Sequence, residues 1–588
     1  SNGGKVMKKF SGLLLMVIII LSIFSTNVFA ENKTMAKVSQ DTIKLNNKTI
    51  YCEGFKISGV NYYKLRDIAE ALSDTSSRFD VKWNDKESII EIVTGKEYTL
   101  VKESNDKYYN PDRNYYATAT TSKILVDGKV QNIKAFNIDG NNYFKLRDLE
   151  KLIPFDIKWD STKNEIKILP QLPKNAYRAK SAYEIHEDNH LTANFARWKN
   201  QLSSYIVDNN DGTKSVIETN SLDKEKGIND IITIDIYDKQ YNLIDSKKID
   251  FELPLFGGFY SGKEYNYIVF GQENIEENDN KEVIRIVKYD KDYNRIGNAS
   301  VKGGESFTIK PFDAGSGKMA EYGDILVLHT ARTRYTTDDG LNHQSQLTVM
   351  VDTPTMTTLN YMGEFQDNHV SHSFDQYVLF DGNNPVFVDH GDAYPRSVVL
   401  TKGDTNEKSN TYKKNPQIDL FKIPGEIGAN CTGVSIGGFE MSSKNYIVAM
   451  NTINHSLVEE YTSFDMIGLE YDQRDIIVCT SPRLDTEHGE TRHIIHGKYI
   501  GSNKNASVPQ LVKITDNRLV IMWQEYSKDY KHMNLKYALI DENGEMIGNI
   551  QEVKDFILSE CKPIISDNNI IWYTNKDGER IIYKIPLD

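Results

Sequence analysis

The sequence is poor in cysteine, in positive charge and in long apolar runs. Its 588 residues hold four cysteines, Cys52, Cys431, Cys479 and Cys561, with no Cys-x-x-Cys pair. This spacing excludes a dense disulfide framework, and leaves open one bridge among the last three or buried free thiols. Acidic residues outnumber basic ones, for a formal charge of -13. A nucleic-acid partner requires a basic surface, so none is expected.

A single apolar run approaches membrane length. Two lysines precede the apolar residues 13–24, and "VFA" at 28–30 places small residues where a signal peptidase cleaves. The pattern predicts a signal peptide over residues 1–30, with Met7 as the true start and cleavage after Ala30. An uncleaved membrane anchor is the alternative. The mature chain is expected to be secreted, extracellular or cell-wall associated, and to meet a membrane only through this signal.

A heptapeptide occurs twice near the start of the chain. "NYYKLRD" at 61–67 returns as "NYFKLRD" at 142–148, and "FDVKW" at 79–83 returns as "FDIKW" at 155–159. Each copy predicts a hairpin, a short helix with one apolar stripe, and a closing hairpin. The two stripes are Leu65, Ile68, Ala69 and Leu72, then Leu146, Leu149, Leu152 and Ile153. Residues 40–169 are therefore expected to form a duplicated β/α module.

These paired strings resemble the copper amine oxidase N-terminal-like domain, a stalk module of exported proteins in Gram-positive bacteria. The resemblance covers residues 40–169 and implies an extracellular spacer or attachment module that contacts a cell-wall polymer, a glycan or a surface protein. The oxidase's catalytic domain needs a Tyr in an Asn-Tyr-Asp/Glu setting and a His-x-His copper pair, and this chain has neither string. Copper, the quinone cofactor and amine oxidation are therefore not expected.

Two residue types in this module have both a functional and a structural interpretation. Arg66 and Arg147 either contact an anionic ligand or form structural ion pairs with an adjacent aspartate or a neighbouring strand. Trp83 and Trp159 either stack on sugars or cover a small helix.

After a Pro-bearing linker at 169–174, residues 170–588 lose helical periodicity. Seven similar apolar phrases begin at positions 204, 266, 324, 384, 445, 518 and 569, separated by turn signals. A four-stranded blade with its loops needs about this spacing, which predicts a seven-bladed β-propeller. "AYRAKSAYEI" at 176–185 is predicted to supply the strand that the last blade lacks. The expected fold is mainly β, with a small duplicated β/α stalk domain before the propeller; two successive β-sandwiches are the alternative.

Histidine crowding is the one compositional anomaly of the second region. Five of the twelve histidines lie between 329 and 390, close to two aspartates and an arginine. Imidazoles and carboxylates together can hold zinc or another divalent ion, and polar loop residues bonded between blades are the alternative. A hydrolytic site is the other interpretation, with Asp389 or Asp392 as base, His390 as partner and Arg396 binding an anion. The candidates are His329, His343, His369, His372, Asp389, His390, Asp392 and Arg396.

Aromatic residues suggest a recognition surface. Tyr335, Tyr394, Trp523 and Tyr526 are candidates for stacking on a glycan or burying against a protein, or for packing between blades. No G-x-S-x-G and no phosphate-binding glycine loop occurs. The first hypothesis is an exported noncatalytic protein, with a stalk for placement at the envelope and a propeller that recognises a glycan or protein. The alternatives are an exported hydrolase using the His/Asp cluster, with or without a metal, and a scaffold for a neighbouring surface protein.

Overall fold

The computed structural model describes residues 33–101, 109–221, 227–403, 415–484 and 489–587. The predicted signal peptide lies outside these ranges. The chain divides into two compact units. The N-terminal unit comprises the residues up to Leu45 and Thr49–Gln171, and the C-terminal unit comprises Asn46–Lys48 and the residues from Leu172 onward. None of the helices found in the described ranges has the length and apolar character needed to cross a membrane.

The N-terminal unit combines a small closed barrel, two four-stranded sheets and two short helices. Its strands are β1 (Thr34–Val38), β2 (Thr42–Leu45), β3 (Lys48–Ile50), β4 (Gly54–Ile57), β5 (Val60–Lys64), β6 (Phe79–Asn84), β7 (Ile89–Thr94), β8 (Tyr115–Ala119), β9 (Lys123–Val126), β10 (Lys129–Gln131), β11 (Ala135–Ile138), β12 (Asn141–Phe144), β13 (Phe155–Asp160) and β14 (Glu165–Pro170). Its helices are α1 (Leu65–Leu72) and α2 (Leu146–Leu149).

The two sequence copies interlock. The barrel order is β1-β4-β5-β12-β11-β8, so three adjacent strands of the first copy are followed by three of the second. Strand β9 of the second copy pairs in parallel with β7 of the first, and β14 of the second pairs in parallel with β2 of the first. Neither copy therefore completes its sheet alone, which gives the duplication a structural reason.

Helix α1 has the predicted apolar stripe. Leu65, Ile68, Ala69 and Leu72 are all buried on one face, as the i, i+3, i+4, i+7 spacing requires. The second helix is shorter than expected, because α2 ends at Leu149. Ile153 lies beyond its end and is still buried.

The C-terminal unit is built almost entirely of strands. They are β15 (Ala176–Ala179), β16 (Ser204–Asp208), β17 (Lys214–Asn220), β18 (Ile231–Tyr237), β19 (Leu243–Asp250), β20 (Leu255–Ser261), β21 (Asn266–Gly271), β22 (Glu282–Tyr289), β23 (Arg295–Lys302), β24 (Thr308–Pro311), β25 (Lys318–Tyr322), β26 (Ile325–Thr336), β27 (Asn342–Asp352), β28 (Thr357–Thr358), β29 (Ser371–Asp381), β30 (Asn384–Ala393), β31 (Arg396–Lys402), β32 (Gln417–Lys422), β33 (Val434–Met441), β34 (Asn445–Thr452), β35 (Glu460–Tyr461), β36 (Met466–Ile467), β37 (Asp475–Pro482), β38 (Arg492–Gly497), β39 (Lys504–Ala506), β40 (Gln510–Thr515), β41 (Arg518–Ser527), β42 (His532–Asp541), β43 (Met546–Val553), β44 (Ile564–Ser566), β45 (Asn569–Lys576) and β46 (Glu579–Pro586). A short helix, α3 (Gly303–Ser306), and a 3-10 turn at His455–Leu457 complete the elements.

These strands form successive antiparallel meanders arranged in a ring. The sheets run β16-β17-β18-β19, β20-β21-β22-β23, a nine-stranded sheet from β24 to β32, β33-β34-β37-β38, a sheet from β39 to β43, and β15-β46-β45-β44. Contacts join β20 to β25, β25 to β29, β29 to β33, β33 to β40, β40 to β44, and β44 back to β16. The Tyr205 and Phe259 rings, 5.2 Å apart, join β16 to β20 and close the ring. This is the arrangement of a β-propeller.

The last sheet takes its outer strand from the start of the unit. Strand β15 pairs with β46, with Ala176 opposite Tyr583 and Ala179 opposite Arg580. The prediction that "AYRAKSAYEI" supplies this strand is confirmed. The pairing also covers the edge that β46 would otherwise expose.

The recurring apolar phrase marks the second strand of most meanders. Strand β21 is buried along its whole length, because neighbouring sheets cover both of its faces, and such strands read as continuous apolar runs. The phrase at Ser204 differs: it forms β16, the innermost strand of its sheet. The phrase at Ser204 is therefore one strand earlier in its sheet than the other phrases are in theirs.

A second phrase, "ITIDIYDKQYNLID" at 232–245, recurs as "IRIVKYDKDYNRIG" at 284–297 and "LKYALIDENGEMIG" at 535–548. Each copy forms the third strand of a meander, a turn and the outer strand. In two of its copies, Asp238 and Asp290 accept backbone hydrogen bonds from the residues two and four positions later, at 2.8–2.9 Å. A left-handed residue follows in each turn, Tyr241 and Tyr293. Aspartate favours such turns by binding the backbone ahead of it, so the repeated "YDK" string is a turn signal.

All four cysteines are free thiols, and Cys431, Cys479 and Cys561 are buried. The sequence left open a disulfide among these three residues or buried free thiols, and the structure shows buried free thiols. Burial raises the pKa of the Cys479 thiol far above its usual range, which keeps this side chain an inert apolar group.

Gly437 marks a close approach between the innermost strands β33 and β40. A Cβ built on it would lie 1.8 Å from the Pro509 carbonyl oxygen. We expect Gly437→Ala to lower the free energy of unfolding by roughly 1–3 kcal/mol, the usual cost of overpacking, as measured by urea unfolding. Gly297→Ala is the control, because its Cβ meets nothing nearer than the Met356 Cγ at 3.8 Å. Equal losses in the two variants would contradict this explanation.

Candidate functional site

A cavity of about 590 Å³ lies at the centre of the C-terminal unit. Its walls come from the innermost strands of successive meanders, including β16, β20, β25, β29 and β33, and from the segment 190–202. The volume falls within the range of roughly 300–1,000 Å³ that is typical of small-molecule sites. Aromatic, charged and amide side chains share the lining.

Asp375 is the most unusual group in this cavity. It is 2% exposed, and neither oxygen of its carboxylate meets a donor in hydrogen-bonding geometry. Burial raises the pKa of Asp375 to about 6, although the nearby Lys199 and Lys318 ammonium groups, the Ser316 hydroxyl and the Gln376 backbone N–H lower it. A buried carboxylate with a raised pKa at a cavity wall indicates a functional role.

A β-bulge gives Asp375 its position. Strand β29 pairs Ser373 with Gly391 and Gln376 with Asp389, with a register shift between the two pairs. One residue of the partner strand therefore faces two of β29, one of which is Asp375. Bulges re-aim side chains and are common beside active sites.

Gln376, at the end of the bulge, is held by the segment that joins β24 to β25. Its side-chain oxygen accepts a hydrogen bond from the Ser316 backbone at 2.8 Å, and its carbonyl accepts one from the Ser316 hydroxyl at 2.8 Å. Its amide donates to the Ala314 carbonyl at 3.2 Å. These contacts fix β29 where Asp375 enters the cavity.

Lys318 is the cationic neighbour of Asp375. It begins β25, and burial lowers its pKa to about 8. Its ammonium lies 5.3 Å from the centre of the Tyr377 ring, a favourable cation–π distance. Burial raises the pKa of Tyr377 well above its usual value, so the phenol stays neutral.

Further carboxylates line the same cavity. Glu440, at the end of β33, forms an ion pair with Lys562. Glu560 lies two residues before Lys562, in the segment that leads to β44. The cavity therefore brings together Asp375 and two glutamates from three separate parts of the chain.

The segment 190–202 forms one side of the cavity and is anchored at several points. The Leu191 backbone donates to the Leu558 carbonyl at 2.9 Å, and the Lys199 backbone donates to the Phe374 carbonyl at 2.8 Å. The Trp198 and Phe374 rings are 5.9 Å apart. This segment supplies Trp198 and Lys199 to the site, and the sequence analysis did not identify it.

The predicted residue His329 lies outside this cavity. It is fully buried, with its Nε2 2.9 Å from an Asp389 oxygen and its Nδ1 2.8 Å from the Thr348 hydroxyl. The other Asp389 oxygen accepts a hydrogen bond from Ser373 at 2.6 Å. These contacts join neighbouring strands, and Asp389 has His329, not His390, as its imidazole partner.

Three more of the predicted histidines are spread over loops and strand ends. His343 lies 2.6 Å from Asp339, and His372 lies 2.9 Å from Asp392. His369 is half-buried in the loop before β29. Within the ranges that the structure describes, no three His, Cys, Asp or Glu side chains gather as a metal site.

Of the predicted cluster, only His390 lines the cavity. Its Nε2 lies 2.8 Å from the Thr432 hydroxyl, and burial lowers the pKa of His390 to about 4. It is therefore neutral near pH 7. Arg396 is held by backbone carbonyls, including those of Pro424 at 2.8 Å and Cys431 at 2.9 Å. Its guanidinium is thus engaged in holding a loop, and anion binding would require breaking these contacts.

The aromatic candidates divide between surface and core. Tyr394 is 69% exposed and is accessible to a ligand. Trp523 is 1% exposed, and its Nε1 donates to the Tyr499 hydroxyl at 2.7 Å. Tyr526 is also buried, and Tyr335 is half-buried. Trp523 and Tyr526 therefore pack within the sheets. The sequence does not reveal this, because its period-2 pattern cannot distinguish a strand face covered by a neighbouring sheet from an exposed one.

The raised pKa of Asp375 makes stability depend on pH. Its folded-state pKa, about 6, lies above its ordinary value of 3.8, so ionisation of Asp375 destabilises the fold as pH rises from about 4 through 6. Asp375→Asn changes the free energy of unfolding by some amount at each pH. We expect this change to be more stabilising at pH 8 than at pH 4, by up to about 3 kcal/mol. Urea unfolding at the two pH values measures this difference.

Asp381→Asn is the matched control on the same strand. Hydrogen bonding to Arg483 lowers the pKa of Asp381. Ionised Asp381 therefore stabilises the fold at neutral pH, and this stabilisation is lost as pH falls. Asp381→Asn should accordingly be more destabilising at pH 8 than at pH 4, the opposite of Asp375→Asn. If the effect of Asp375→Asn on stability does not depend on pH, the claim that burial raises the pKa of Asp375 is contradicted.

Comparisons with known proteins give distant structural likenesses only. No protein-family profile and no curated protein matches the chain. The β-propeller domain of the Trilobed protease from Pyrococcus furiosus is 10% identical, with 66% of this chain and 97% of that chain covered and a TM-score of 0.31. For an α-L-arabinanase of Penicillium chrysogenum complexed with arabinobiose, the identity is 8%, the coverages are 68% and 97%, and the TM-score is 0.31.

An ACO/RPE65 chimera is 11% identical, with 61% of this chain covered and a TM-score of 0.28. The chain spans 64% of the length of that chimera. Identities and TM-scores this low do not assign a function to this chain.

Proposed function

We propose that the C-terminal unit is a hydrolase that cleaves a glycosidic bond in its central cavity, with Asp375 as the proton donor. One observation carries the proposal: a carboxylate is buried at the cavity wall with neither oxygen in hydrogen-bonding geometry to a donor, and its pKa is raised to about 6. A general acid works best when its pKa lies near the working pH. Asp375 would hold a proton in a useful fraction of molecules between pH 5 and about 7.

A second carboxylate completes the chemistry. Glycoside hydrolysis uses one carboxylic acid to protonate the leaving oxygen and one carboxylate to activate water or attack the sugar. Glu440 is our candidate for the second role, because it lines the same cavity from another strand and forms an ion pair with Lys562. Glu560 is the alternative in the same wall.

The lining suits a sugar. Trp198 and Phe374 line the cavity beside Asp375, and aromatic rings are side chains on which sugars stack. Gln201 and Gln510 add amide groups to the same wall. A cavity of about 590 Å³ can hold one or two sugar rings.

The rest of the chain is proposed to deliver this activity outside the cell. We propose that the nine-stranded sheet counts as two blades, since a single residue pairing, Ser345 with Ser371, joins its halves. The C-terminal unit then has seven blades. The N-terminal unit is proposed to be a stalk of the copper amine oxidase N-terminal-like type, which places an exported propeller at the cell wall.

Release of reducing ends from purified polysaccharides tests the proposal. The chain from Glu31 is incubated with neutral and acidic plant polysaccharides and with bacterial wall polymers, between pH 4 and pH 9. We expect release from at least one polymer, strongest below pH 7, where Asp375 is partly protonated. Binding of a polymer in the central cavity with no release from any of them would contradict hydrolysis and support recognition without chemistry.

A further inference from the structure

The N-terminal unit has a cavity of its own, of about 290 Å³. It is lined by Arg66 at the start of α1, by Lys82 and Trp83 at the end of β6, and by Asn137 of β11 and Asn141 and Asn142 of β12. This volume lies at the lower end of the range for small-ligand sites, roughly 300 Å³. It would admit a single sugar ring with part of a neighbouring one.

Trp83 presents an open aromatic face at this cavity. Its side chain is 43% exposed, although a large apolar residue in so small a unit would normally be buried. Its indole nitrogen donates to the Asp85 carboxylate, which fixes the ring. A ring held in place and left uncovered binds a sugar face at little entropic cost. Trp159, its counterpart in the second copy, is 48% exposed and does not line this cavity.

Two cations beside Trp83 have no carboxylate partner among the described residues. The hydrogen bond of Arg66 goes to the Tyr98 hydroxyl at a long 3.4 Å. Lys82 forms no ion pair within the described ranges and is exposed. The chain as a whole carries a charge of -13. Two uncompensated cations at one cavity of so acidic a protein favour an anionic ligand.

Comparison of the two sequence copies supports a role for Arg66. Arg147, at the equivalent position, forms an ion pair with Glu150 at 3.0 Å. Ala69 occupies the position of Glu150 in the first copy, so the corresponding carboxylate is missing there. Arg147 therefore forms a structural ion pair, although with Glu150 and not with the adjacent Asp148 or a neighbouring strand as expected. The guanidinium of the first copy remains available for a carboxylate or a phosphate, both of which arginine binds well.

We propose that Arg66, Lys82 and Trp83 bind a glycan that carries acidic groups. The indole stacks on a sugar ring, the two cations bind its carboxylate or phosphate, and the asparagine amides contact hydroxyl groups. Carboxylates of uronic acids and phosphates of teichoic-type polymers share this chemistry. The site lies within the N-terminal unit and does not depend on hydrolysis in the central cavity.

Affinity electrophoresis of the chain from Glu31 tests the site. The gels contain polygalacturonate, a glycerol-phosphate wall polymer or neutral dextran. We expect retardation by one or both acidic polymers and none by dextran. Retardation by polygalacturonate alone identifies a carboxylate ligand, and retardation by the wall polymer alone identifies a phosphate ligand. Equal retardation by dextran, or none by any polymer, would overturn the proposal.

Variants locate the binding. Trp83→Ala and Arg66→Gln should each weaken binding about tenfold or more, and Lys82→Gln should reduce its salt dependence. Trp159→Ala and Arg147→Gln are the matched controls in the second copy and should leave binding unchanged. Thermal unfolding of each variant shows that it is folded. Equal loss in the control variants would assign binding elsewhere and contradict this site.

Discussion

Replacing Asp375 by asparagine is expected to lower kcat by about 10²–10⁴-fold, the contribution of a general acid, and to leave KM nearly unchanged. Asparagine keeps the size of the side chain and removes the transferable proton. Because no donor meets the Asp375 carboxylate in hydrogen-bonding geometry and asparagine has nearly the same shape, the variant should fold. Steady-state kinetics on a polymer that the wild-type protein cleaves measures the change.

Asp381→Asn is the control for this experiment. It removes a carboxylate from the same strand, β29, at a position that does not line the central cavity. Its kcat should stay close to that of the wild-type protein. If Asp375→Asn retains full activity, Asp375 is not the proton donor. If both variants lose activity equally, the loss reflects damage to β29.

Replacing Arg580 by methionine is expected to lower the free energy of unfolding by about 3–5 kcal/mol, the cost of leaving buried charges unpaired. Arg580 is 1% exposed and lies 2.7 Å from Glu218 and 2.6 Å from Asp235. It also donates to the Tyr237 hydroxyl at 2.7 Å. Urea unfolding measures the loss.

The size of this effect follows from where Arg580 lies. It is on β46, in the last sheet, whereas Glu218 and Asp235 are on β17 and β18 of the first. The ion pairs therefore join the two ends of the ring. Removing Arg580 leaves two buried carboxylates without their cation.

Two further variants isolate the cause. Arg295→Met removes a half-exposed arginine that pairs with Glu252 at 2.7 Å, and should cost no more than about 1 kcal/mol. Adding Glu218→Gln and Asp235→Asn to Arg580→Met should restore part of the lost stability, because no buried charge is then unpaired. A loss as small as that of Arg295→Met would show that the triad does not hold the ring closed.

Local sequence patterns predicted the elements and their order well. The duplicated heptapeptide led to α1 and its buried stripe, because helical spacing is a property of a few adjacent residues. The strand–turn–strand phrases were recognisable from turn residues such as Asp238. The closing strand β15 was predictable from an incomplete last repeat. The interlocking of the two copies, in which β9 pairs with β7, was not predictable, since neither strand's residues indicate which strand it pairs with.

The candidate site was outside the reach of pattern reasoning. Lys318, Asp375 and Glu440 lie on three separate strands, β25, β29 and β33, and share no motif. The histidine cluster suggested a site because the sequence shows which residue types are crowded together, but it does not show which side chains are buried. His329 and Asp389 proved to be partners of each other in the core. Asp375 was missed because its position depends on a bulge, a backbone irregularity with no composition of its own.

A crystal structure of the Asp375→Asn variant soaked with an oligosaccharide of the cleaved polymer tests the central claim most directly. We expect the sugar in the central cavity, with its glycosidic oxygen within hydrogen-bonding distance of the introduced amide and a ring against Trp198. A sugar bound elsewhere on the C-terminal unit, or bound in the cavity with the introduced amide out of reach of the glycosidic bond, would contradict the assignment of Asp375 as the proton donor.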